Sequence, residues 1–376
     1  MKRRTFLSGI VAATAAPKLS KLDWILSEGI RRRKIPAVSA MVADAHKTLY
    51  TGAFGIRDKL SQTPVDTRSI FAIASMTKAI TTAAAMQLIE RGKLSLEDPI
   101  EKYLPNFANL QVLDQTRLRP VRRQPTLRHL LTHTAGFAYD NWNPDLNRYN
   151  TQPPPLMTDP GTRWEYGTNL DCVGRIIEVI SGMSLEAYFQ KNILQPLGMS
   201  DTSYILTPQT FARKVATCRR QPDGALLEDP YLLPPTPTSF NGGGGLLSTT
   251  ADYVKFMQMI LNRGAGVLRP HSVALMSANQ IGTLDAGKMK TARPENSSDV
   301  DFHPGAADRF TFGFLLNQKA HAKGRSAGSL AWAGIQNTFY WIDPKRSLCA
   351  VIMMQFYPFC DREAMGLLRE FEQAVY

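Results

Sequence analysis

The chain has 376 residues, of which 44% are hydrophobic and 20% charged. This composition is typical of a globular protein with a sizeable core and excludes a disordered chain. The net charge of +12 suggests nucleic-acid binding. However, the basic residues are scattered, and the one dense run, Arg31-Arg32-Arg33-Lys34, ends a predicted helix, where cations suit the helix dipole. No zinc-finger or aromatic RNA-binding motif accompanies them, so we expect a solvated basic surface and no nucleic-acid partner.

The first 17 residues have the pattern of an export signal. Arg3 and Arg4 precede a short apolar stretch, and Ala13 and Ala15 supply the small side chains of a cleavage site. Neither this stretch nor any later one is long and uncharged enough to span a bilayer. We therefore predict a twin-arginine signal over residues 1–17 and a periplasmic or secreted protein. The alternative is a cytoplasmic protein with a frayed helical N-terminus.

Apolar periodicity and turn residues predict the secondary structure in chain order. Helices are predicted at 22–33, 79–91, 127–131, 170–181, 184–192, 251–262 and 362–374. Strands are predicted at 37–43, 48–54, 310–317, 338–342 and 348–355. The polar stretch 285–309 has no clear pattern and is predicted to be a mobile loop.

Because the strands lie near both ends of the chain, we predict an α/β fold in which one antiparallel sheet is built from both termini and flanked by helices. Residues 22–98 and 300–376 are assigned to a lobe that contains the sheet. Residues 99–299 are assigned to a helical lobe, and the two lobes form one catalytic unit over residues 22–376.

Ser75-Met76-Thr77-Lys78 places a hydroxyl and an amine one helical turn apart. Residues at i and i+3 share a helix face, so the Lys78 side chain can reach the Ser75 oxygen. The start of the following helix supplies free backbone N–H groups and the positive end of the helix dipole. A serine at such a position is a candidate nucleophile with a lysine as its base.

Two later segments contain residues that such a serine would need. Tyr166 lies on a loop before a helix, and a phenol held near a lysine can carry protons between nucleophile and leaving group. Trp332 and Gly334 lie on a predicted edge strand, where small residues let a substrate carbonyl approach the backbone. The N–H group of Ile335, paired with that of Ser75, would then form an oxyanion hole.

Other candidate motifs are weaker. Ser326 lies in a Gly-x-Ser-x-Gly pattern, but a polar loop precedes it and a strand follows, whereas a nucleophile elbow needs a strand before and a helix after. We therefore predict a turn there. His129 and His133 lack carboxylates spaced for a triad or metal site, and residues 241–246 lack a P-loop ending, so all three are interpreted as structural.

We expect no metal and no cofactor. The chain has no Cys-x-x-Cys pair, so its cysteines are predicted to be buried free thiols: Cys172, Cys218, Cys349 and Cys360.

The motifs together resemble the serine β-lactamase and penicillin-binding-protein superfamily, most closely its class C-like branch. The matching stretches occur in the family's order, and they are Ser75–Lys78, the Leu-Leu-Thr-His-Thr-Ala-Gly run from Leu130, Pro160-Gly161-Thr162, Pro196-Leu197-Gly198-Met199 and Gly244–Thr249. The resemblance implies a β-lactamase/transpeptidase-like fold with its active site between the sheet and the helical lobe.

Two departures narrow the function that the resemblance implies. Class C β-lactamases carry Tyr-x-Asn and Lys-Thr-Gly, where this chain has Tyr166-Gly167-Thr168 and Trp332-Ala333-Gly334. The missing lysine would hold the carboxylate of a β-lactam or D-Ala-D-Ala peptide, and the missing asparagine would contact the substrate amide. The chain is therefore more similar to family VIII carboxylesterases and the acyltransferase of lovastatin biosynthesis.

We accordingly expect a serine hydrolase that cleaves small-molecule carboxylic esters through an acyl-enzyme on Ser75, with Lys78 and Tyr166 as acid–base residues. The alternatives are acyl transfer by the same intermediate, and a class C-like β-lactamase or D-alanyl peptidase. The acyl and alcohol groups and the oligomeric state are not predicted.

Overall fold

The computed structural model describes residues 16–148, 153–230 and 232–376. All but the last two residues of the predicted export signal lie outside this part of the chain, so the signal stays a prediction. The helices are α1 (Ala16–Arg33), α2 (Thr77–Glu90), α3 (Leu127–Leu131), α4 (Asn169–Ser181), α5 (Leu185–Phe189), α6 (Pro208–Phe211), α7 (Thr250–Leu261), α8 (Pro270–Ser277) and α9 (Arg362–Val375).

The strands range from two to eight residues in length. They are β1 (Ala37–Asp44), β2 (Thr48–Gly55), β3 (Phe71–Ala72), β4 (Gln111–Asp114), β5 (Arg117–Pro120), β6 (Cys218–Arg220), β7 (Leu226–Glu228), β8 (Leu247–Ser248), β9 (Lys288–Met289), β10 (Val300–Asp301), β11 (Arg309–Phe310), β12 (Leu315–Leu316), β13 (Leu330–Gly334), β14 (Thr338–Asp343), β15 (Leu348–Met353) and β16 (Phe356–Tyr357).

A seven-stranded antiparallel sheet joins the two ends of the chain. Its strand order is β11-β12-β13-β14-β15-β1-β2, so the N-terminal hairpin β1–β2 pairs with the C-terminal strand β15. Ala40 on β1 lies opposite Ile352 on β15, and both side chains are fully buried. The prediction of an antiparallel sheet built from both termini and flanked by helices is confirmed.

Helices cover both faces of this sheet. On the outer face α1 packs against α9, and Arg33 of α1 forms ion pairs with Glu363 and Glu370 of α9. Helix α9 begins at Asp361, whose carboxylate accepts the N–H groups of Glu363 and Ala364. On the other face α7 packs against β1 and β15, and α2, whose residues 77–88 are all buried, packs against α4. An alanine-rich helix with no polar face is suited to such a central position.

Three predicted elements differ from the structure. The single strand predicted at 310–317 is the hairpin β11–β12, because Gly313 turns the chain with a φ of +91°. The helix predicted at 184–192 is α5 followed by a π-helical turn, Gln190–Leu194. The predicted loop 285–309 contains the antiparallel pair β9–β10 and contributes Met289 and Phe302 to a cavity described below.

The four cysteines are buried free thiols, as predicted, and none forms a disulfide. Among the described helices, none combines the length and apolar character needed to cross a membrane.

Candidate active site

Ser75 lies at the junction between a buried strand and the central helix. Strand β3 leads into a 3-10 turn, Ala74–Met76, from which α2 continues at Thr77. Ala74 adopts a φ of +44°, a conformation that costs energy for any residue with a Cβ and that often occurs at functional sites. The turn leaves Ser75 half-buried at the wall of a cavity, with Lys78 one turn further along the helix.

Lys78 is 1% exposed and its Nζ contacts three hydrogen-bond acceptors. They are Ser75 Oγ at 3.0 Å, the Gly243 carbonyl at 2.5 Å and the Tyr139 hydroxyl at 3.3 Å. An ammonium group has three protons, so these acceptors match its capacity. The glycine-rich run 241–246, interpreted from sequence as a tight turn, thus supplies a carbonyl that holds the lysine next to the serine.

Tyr166 lies beside the same amine, as expected from the sequence. The centre of its ring is 5.0 Å from Lys78 Nζ, and its hydroxyl accepts a hydrogen bond of 3.2 Å from Trp332 Nε1. His133 packs against it with ring centres 4.8 Å apart. Complete burial, together with the nearby Lys78 charge, holds the pKa of His133 well below its ordinary value, so this ring is neutral at pH 7. His133 therefore positions Tyr166 by packing, in agreement with its structural interpretation.

A second tyrosine and an aspartate belong to this cluster, and the sequence analysis missed both. The Tyr139 hydroxyl and the Asp171 carboxylate both lie beside Gly243, whose N–H donates to Asp171 at 2.7 Å. Burial, followed by the Asp171 charge, raises the pKa of Tyr139 well above its ordinary value. Asp171 thereby fixes Gly243, whose carbonyl Lys78 contacts, and its charge acts on Tyr139, a second group that Lys78 contacts. Neither residue stands in a recognisable motif, and the one available signal is the position of Asp171 in the first turn of α4.

Strand β13 brings Trp332, Gly334 and Ile335 to the serine, but the prediction of an edge strand was wrong, because β13 pairs with β12 on one side and β14 on the other. Trp332 and Ile335 line the same cavity as Ser75. Gly334 contributes by having no side chain, because a Cβ at this position would lie only 2.4 Å from the carbonyl oxygen of Ile73. The absence of a side chain at Gly334 therefore allows the strand to approach the turn that carries Ser75.

The cavity itself has a volume of about 240 Å³ and is mostly apolar. Its aromatic walls include rings from the loop after α3, from the 285–309 segment and from the chain after β16. None of the described residues that line it is charged, and they are Ala74, Ser75, Tyr139, Asn141, Trp142, Tyr166, Gly244, Gly245, Met289, Phe302, Trp332, Ala333, Ile335 and Phe359.

The two departures from the class C pattern have structural counterparts. At the position of the missing lysine, Trp332 donates to the Tyr166 hydroxyl and brings no charge. At the position of the missing asparagine, Thr168 is the N-cap of α4. The next residue, Asn169, is fully buried and directs its amide to the His133 ring at 2.9 Å. A substrate carboxylate or amide therefore lacks the partners that the class C motifs would supply.

The alternative nucleophile Ser326 lies elsewhere. It sits in the connection between β12 and β13, where its carbonyl accepts the Ser329 N–H in a turn, as predicted, and its own N–H is bonded to Asp343. His129, the other histidine of the α3 region, accepts the Thr126 N–H through Nδ1 and so caps α3. Neither residue lines the cavity that contains Ser75.

An antiparallel sheet with helices on both faces carries a serine and a buried lysine on adjacent turns, a tyrosine beside them and strand β13 opposite. This arrangement defines a serine enzyme of the β-lactamase superfamily. The chain belongs to the Beta-lactamase family, which it matches over residues 22–371. The resemblance inferred from the motifs is thereby confirmed.

Three proteins illustrate where the chain lies within this family. It is 32% identical to monacolin J acid methylbutanoyltransferase of Aspergillus terreus, with 98% of each chain covered. It is 28% identical to lovastatin esterase of Penicillium rubens, over 94% of this chain and 98% of the relative. The solved structure of simvastatin synthase from Aspergillus terreus (LovD6 mutant) matches with a TM-score of 0.84 and 30% identity, over 97% of this chain and 98% of the other.

Proposed function

We propose that this protein cleaves small carboxylic esters through an acyl-enzyme on Ser75. The observation that carries the proposal is the 3.0 Å contact between Lys78 Nζ and Ser75 Oγ at the wall of an uncharged cavity. A hydroxyl beside an amine can be activated as a nucleophile, and an uncharged cavity suits a neutral ester.

The proton path follows from the hydrogen bonds around Lys78. The proposal requires Lys78 to react as the neutral amine. In that form it keeps its donor bonds to Gly243 and Tyr139, and its lone pair, in place of the third proton, accepts the Ser75 proton. As Ser75 Oγ bonds to the ester carbon, Tyr166 protonates the departing alcohol and recovers a proton from Lys78. In the second half-reaction the same groups activate water, which releases the acid and restores Ser75.

Backbone N–H groups are proposed to stabilise the negative charge that forms on the carbonyl oxygen. Those of Ser75 and Ile335 belong to two residues that face the same cavity. Donors on a helix start and an adjacent strand are held rigidly, which is the condition for strong stabilisation of a transition state.

The proposed lobes are residues 22–98 with 300–376, and 99–299. With these bounds both lobes contribute candidate residues to the site. The sheet lobe contains Ser75, Lys78 and Trp332. The helical lobe contains Tyr139 and Tyr166. A site between lobes agrees with the common position of ligand cavities.

Acyl transfer is the second candidate, and one specific observation favours it. A relative that is 32% identical over nearly the whole chain is named a methylbutanoyltransferase. The same acyl-enzyme can react with an alcohol instead of water. Adding an alcohol to the ester assay and measuring how the acyl group partitions between acid and new ester distinguishes the two reactions.

A β-lactamase or D-alanyl peptidase is disfavoured by the cavity, whose described lining contains no cation to pair with a substrate carboxylate. Comparison of a chromogenic cephalosporin with p-nitrophenyl butyrate tests this. We expect turnover of the ester, and efficient turnover of the cephalosporin would favour the rival.

The central test is Ser75→Ala, with Ser326→Ala as the matched control. We expect Ser75→Ala to abolish both ester turnover and labelling by a fluorophosphonate, whereas Ser326→Ala keeps both, because Ser326 lies outside the cavity. Ester turnover retained by Ser75→Ala would refute the mechanism. Retained stability in a thermal scan excludes misfolding as the cause of a loss.

Export by a twin-arginine signal over residues 1–17 is proposed from the sequence pattern alone. N-terminal sequencing of protein recovered from the expressing cells tests it. Cleavage near Ala15 is expected, and an intact Met1 in fractions outside the cytoplasm would contradict it.

A further inference from the structure

A second cavity, of about 510 Å³, lies between α9, strand β13 and the loops 301–306 and 319–325. Trp332 and Phe302 line both this cavity and the one that contains Ser75, and their rings pack edge to face with centres 6.2 Å apart. The two spaces are therefore neighbours that share a wall. Neither Ser75, Lys78 nor Tyr166 reaches the second one.

The inner part of this cavity is apolar. Ala331 and Phe339 come from the sheet, Leu315 from the adjacent hairpin strand, and Leu368 and Met365 from α9. The first four are buried, and Met365 is half-buried. Surfaces of this kind release water when an alkyl chain covers them, which stabilises the bound state.

The charged groups inside the cavity neutralise one another. Glu372, which is 7% exposed, forms a two-bonded ion pair with Arg325 at 2.6 and 2.9 Å, and His321 Nδ1 lies 3.4 Å from the same carboxylate. Burial by itself raises the pKa of Glu372, but the paired Arg325 outweighs this effect and keeps that pKa well below its ordinary value. His303 hydrogen bonds to Asp308. None of these groups is left to bind a charged ligand.

The rim of the cavity differs from its interior, because the cations of the rim form no ion pair with any described carboxylate. Lys319, Lys323 and Arg369 are exposed, and none of them forms an ion pair with another described residue. Among the described lining residues, the one other carboxylate is that of Asp301, whose oxygen accepts the His303 N–H. The rim therefore has an excess of positive charge next to an apolar interior.

We propose that this cavity binds an amphiphilic organic anion, with its alkyl chain against Ala331, Phe339 and Leu368 and its anionic head at Lys319, Lys323 and Arg369. An apolar interior with cations at its rim complements an alkyl carboxylate or an alkyl phosphate. The site is separate from the ester chemistry proposed above and does not depend on it.

Calorimetric titration with four ten-carbon probes tests the ligand class. Decanoate and decyl phosphate are expected to bind at least about tenfold more tightly than decanol and decyltrimethylammonium, because only the first two have a negative head. The tighter-binding of the two anions shows whether the site prefers a carboxylate or a phosphate head group. Raising the salt concentration should weaken anion binding and leave decanol unchanged. Equal binding of decanoate and decanol would overturn the proposal.

Variants of the rim test the residues. The double variant Lys323→Glu/Arg369→Glu is expected to weaken decanoate binding about tenfold or more. The control Lys47→Glu/Lys345→Glu changes the net charge equally at exposed positions that do not line the cavity, and should bind decanoate normally. Met365→Trp should fill the interior and weaken binding of both decanoate and decanol. Thermal scans check that each variant is folded.

Hydrogen–deuterium exchange with saturating decanoate locates the ligand. Protection is expected in residues 301–306 and 319–325. Protection confined to residues 139–142, which line the other cavity, would show that the anion occupies the ester site and would overturn the proposal. Loss of ester turnover in Ser75→Ala has no bearing on this result, so the two proposals fail independently.

Discussion

At the scale of single residues, two phenols beside Lys78 are held in different ways. Burial, followed by the nearby Asp171 charge, raises the pKa of Tyr139 well above its ordinary value, so this hydroxyl keeps its proton. The Tyr166 hydroxyl accepts from Trp332 and lines the cavity, so its own proton can be directed to substrate. This difference supports the proposed acid–base role of Tyr166 and favours a positioning role for Tyr139.

Tyr166→Phe and Tyr139→Phe form a matched pair that tests this assignment. We expect the first to lower kcat for p-nitrophenyl butyrate by about 10²- to 10⁴-fold, the usual contribution of a general acid–base residue. The second should lower it by about tenfold or less, since it removes one neutral hydrogen bond to Lys78. A larger loss in Tyr139→Phe would move the proton-transfer role to that residue.

The sequence led to some of these residues because they belong to short ordered motifs. Ser75 and Lys78 share a helix face by spacing alone, and Trp332 follows from the position normally occupied by a lysine. Tyr139 and Asp171 could not be found this way. They act together through Gly243, and the contact among three distant segments exists only after folding.

At the scale of elements, the approach of β13 to the serine turn depends on Gly334. A methyl group there would lie 2.4 Å from the Ile73 carbonyl oxygen and the Thr338 hydroxyl oxygen. Because the first of these is backbone of the turn, the strand has to move away from Ser75. We expect Gly334→Ala to lower kcat by about 10²-fold or more, since displaced oxyanion donors cost this much.

Gly244→Ala is the control for this strand. A Cβ at Gly244 would meet the same turn at an ordinary distance of 3.7 Å from the Ala74 carbonyl carbon. We therefore expect kcat close to that of the parent enzyme, with any effect confined to KM because Gly244 lines the cavity. Equal loss of kcat in both variants would show that the strand position is not the cause.

Helix α3 provides a pH-dependent element. Nδ1 of His129 accepts the Thr126 N–H, which the protonated ring cannot do. Burial, aided by Arg123, lowers the pKa of His129 from 6.5 to about 4. Because the unfolded chain binds this proton more readily, stability is complete above about pH 6.5 and falls as the pH drops toward 4. After allowance for solvent screening, the loss is on the order of 1 to 2 kcal/mol.

His129→Gln isolates that contribution. Glutamine can accept the same N–H at the third position of a capping box and does not titrate. Thermal midpoints measured between pH 7 and 4 should fall less steeply in the variant than in the parent. Parallel curves would mean that His129 does not contribute to the acid sensitivity.

The elements that the sequence predicted well are those with a clear local pattern of apolar residues. Helix α9 has a clear apolar face, and β14 and β15 are continuous apolar runs on either side of a polar turn. The strand predicted at 310–317 was wrong because its pattern continues through Gly313. There the backbone takes a positive φ, and a Cβ would meet Thr82 of α2 at 2.8 Å. Such a tertiary contact cannot be predicted from the local pattern of apolar residues.

At the scale of the whole molecule, the two ends of the chain depend on one another. Strand β1 pairs with β15 and α1 packs on α9, so neither end can complete its part of the sheet alone. The sequence indicated this arrangement because strands stood at both ends with helices between them. The way in which the segment 285–309 contributes Met289 and Phe302 to the cavity was not predictable, since its residues follow no period.

Net charge and cavity lining oppose each other in the choice of substrate. The +12 charge attracts anions from solution, but salt screens that attraction over about 8 Å at physiological ionic strength. Inside the cavity an anionic acyl chain would lose its hydration and find no cation among the described lining residues. The free-energy cost of burying an unpaired charge exceeds the gain from the screened attraction, so we expect neutral esters to be the better substrates.

The p-nitrophenyl esters of butyrate and hemisuccinate test this balance, because both acyl chains have four carbons and only the second ends in a carboxylate. We expect kcat/KM to be at least about tenfold higher for the butyrate. Added salt should lower only the hemisuccinate rate further. Met289 lines the cavity and is 8% exposed, so Met289→Lys should raise the relative rate for hemisuccinate while Met289→Leu should not. Similar rates for both esters in the parent protein would show that a cation reaches the bound acyl chain.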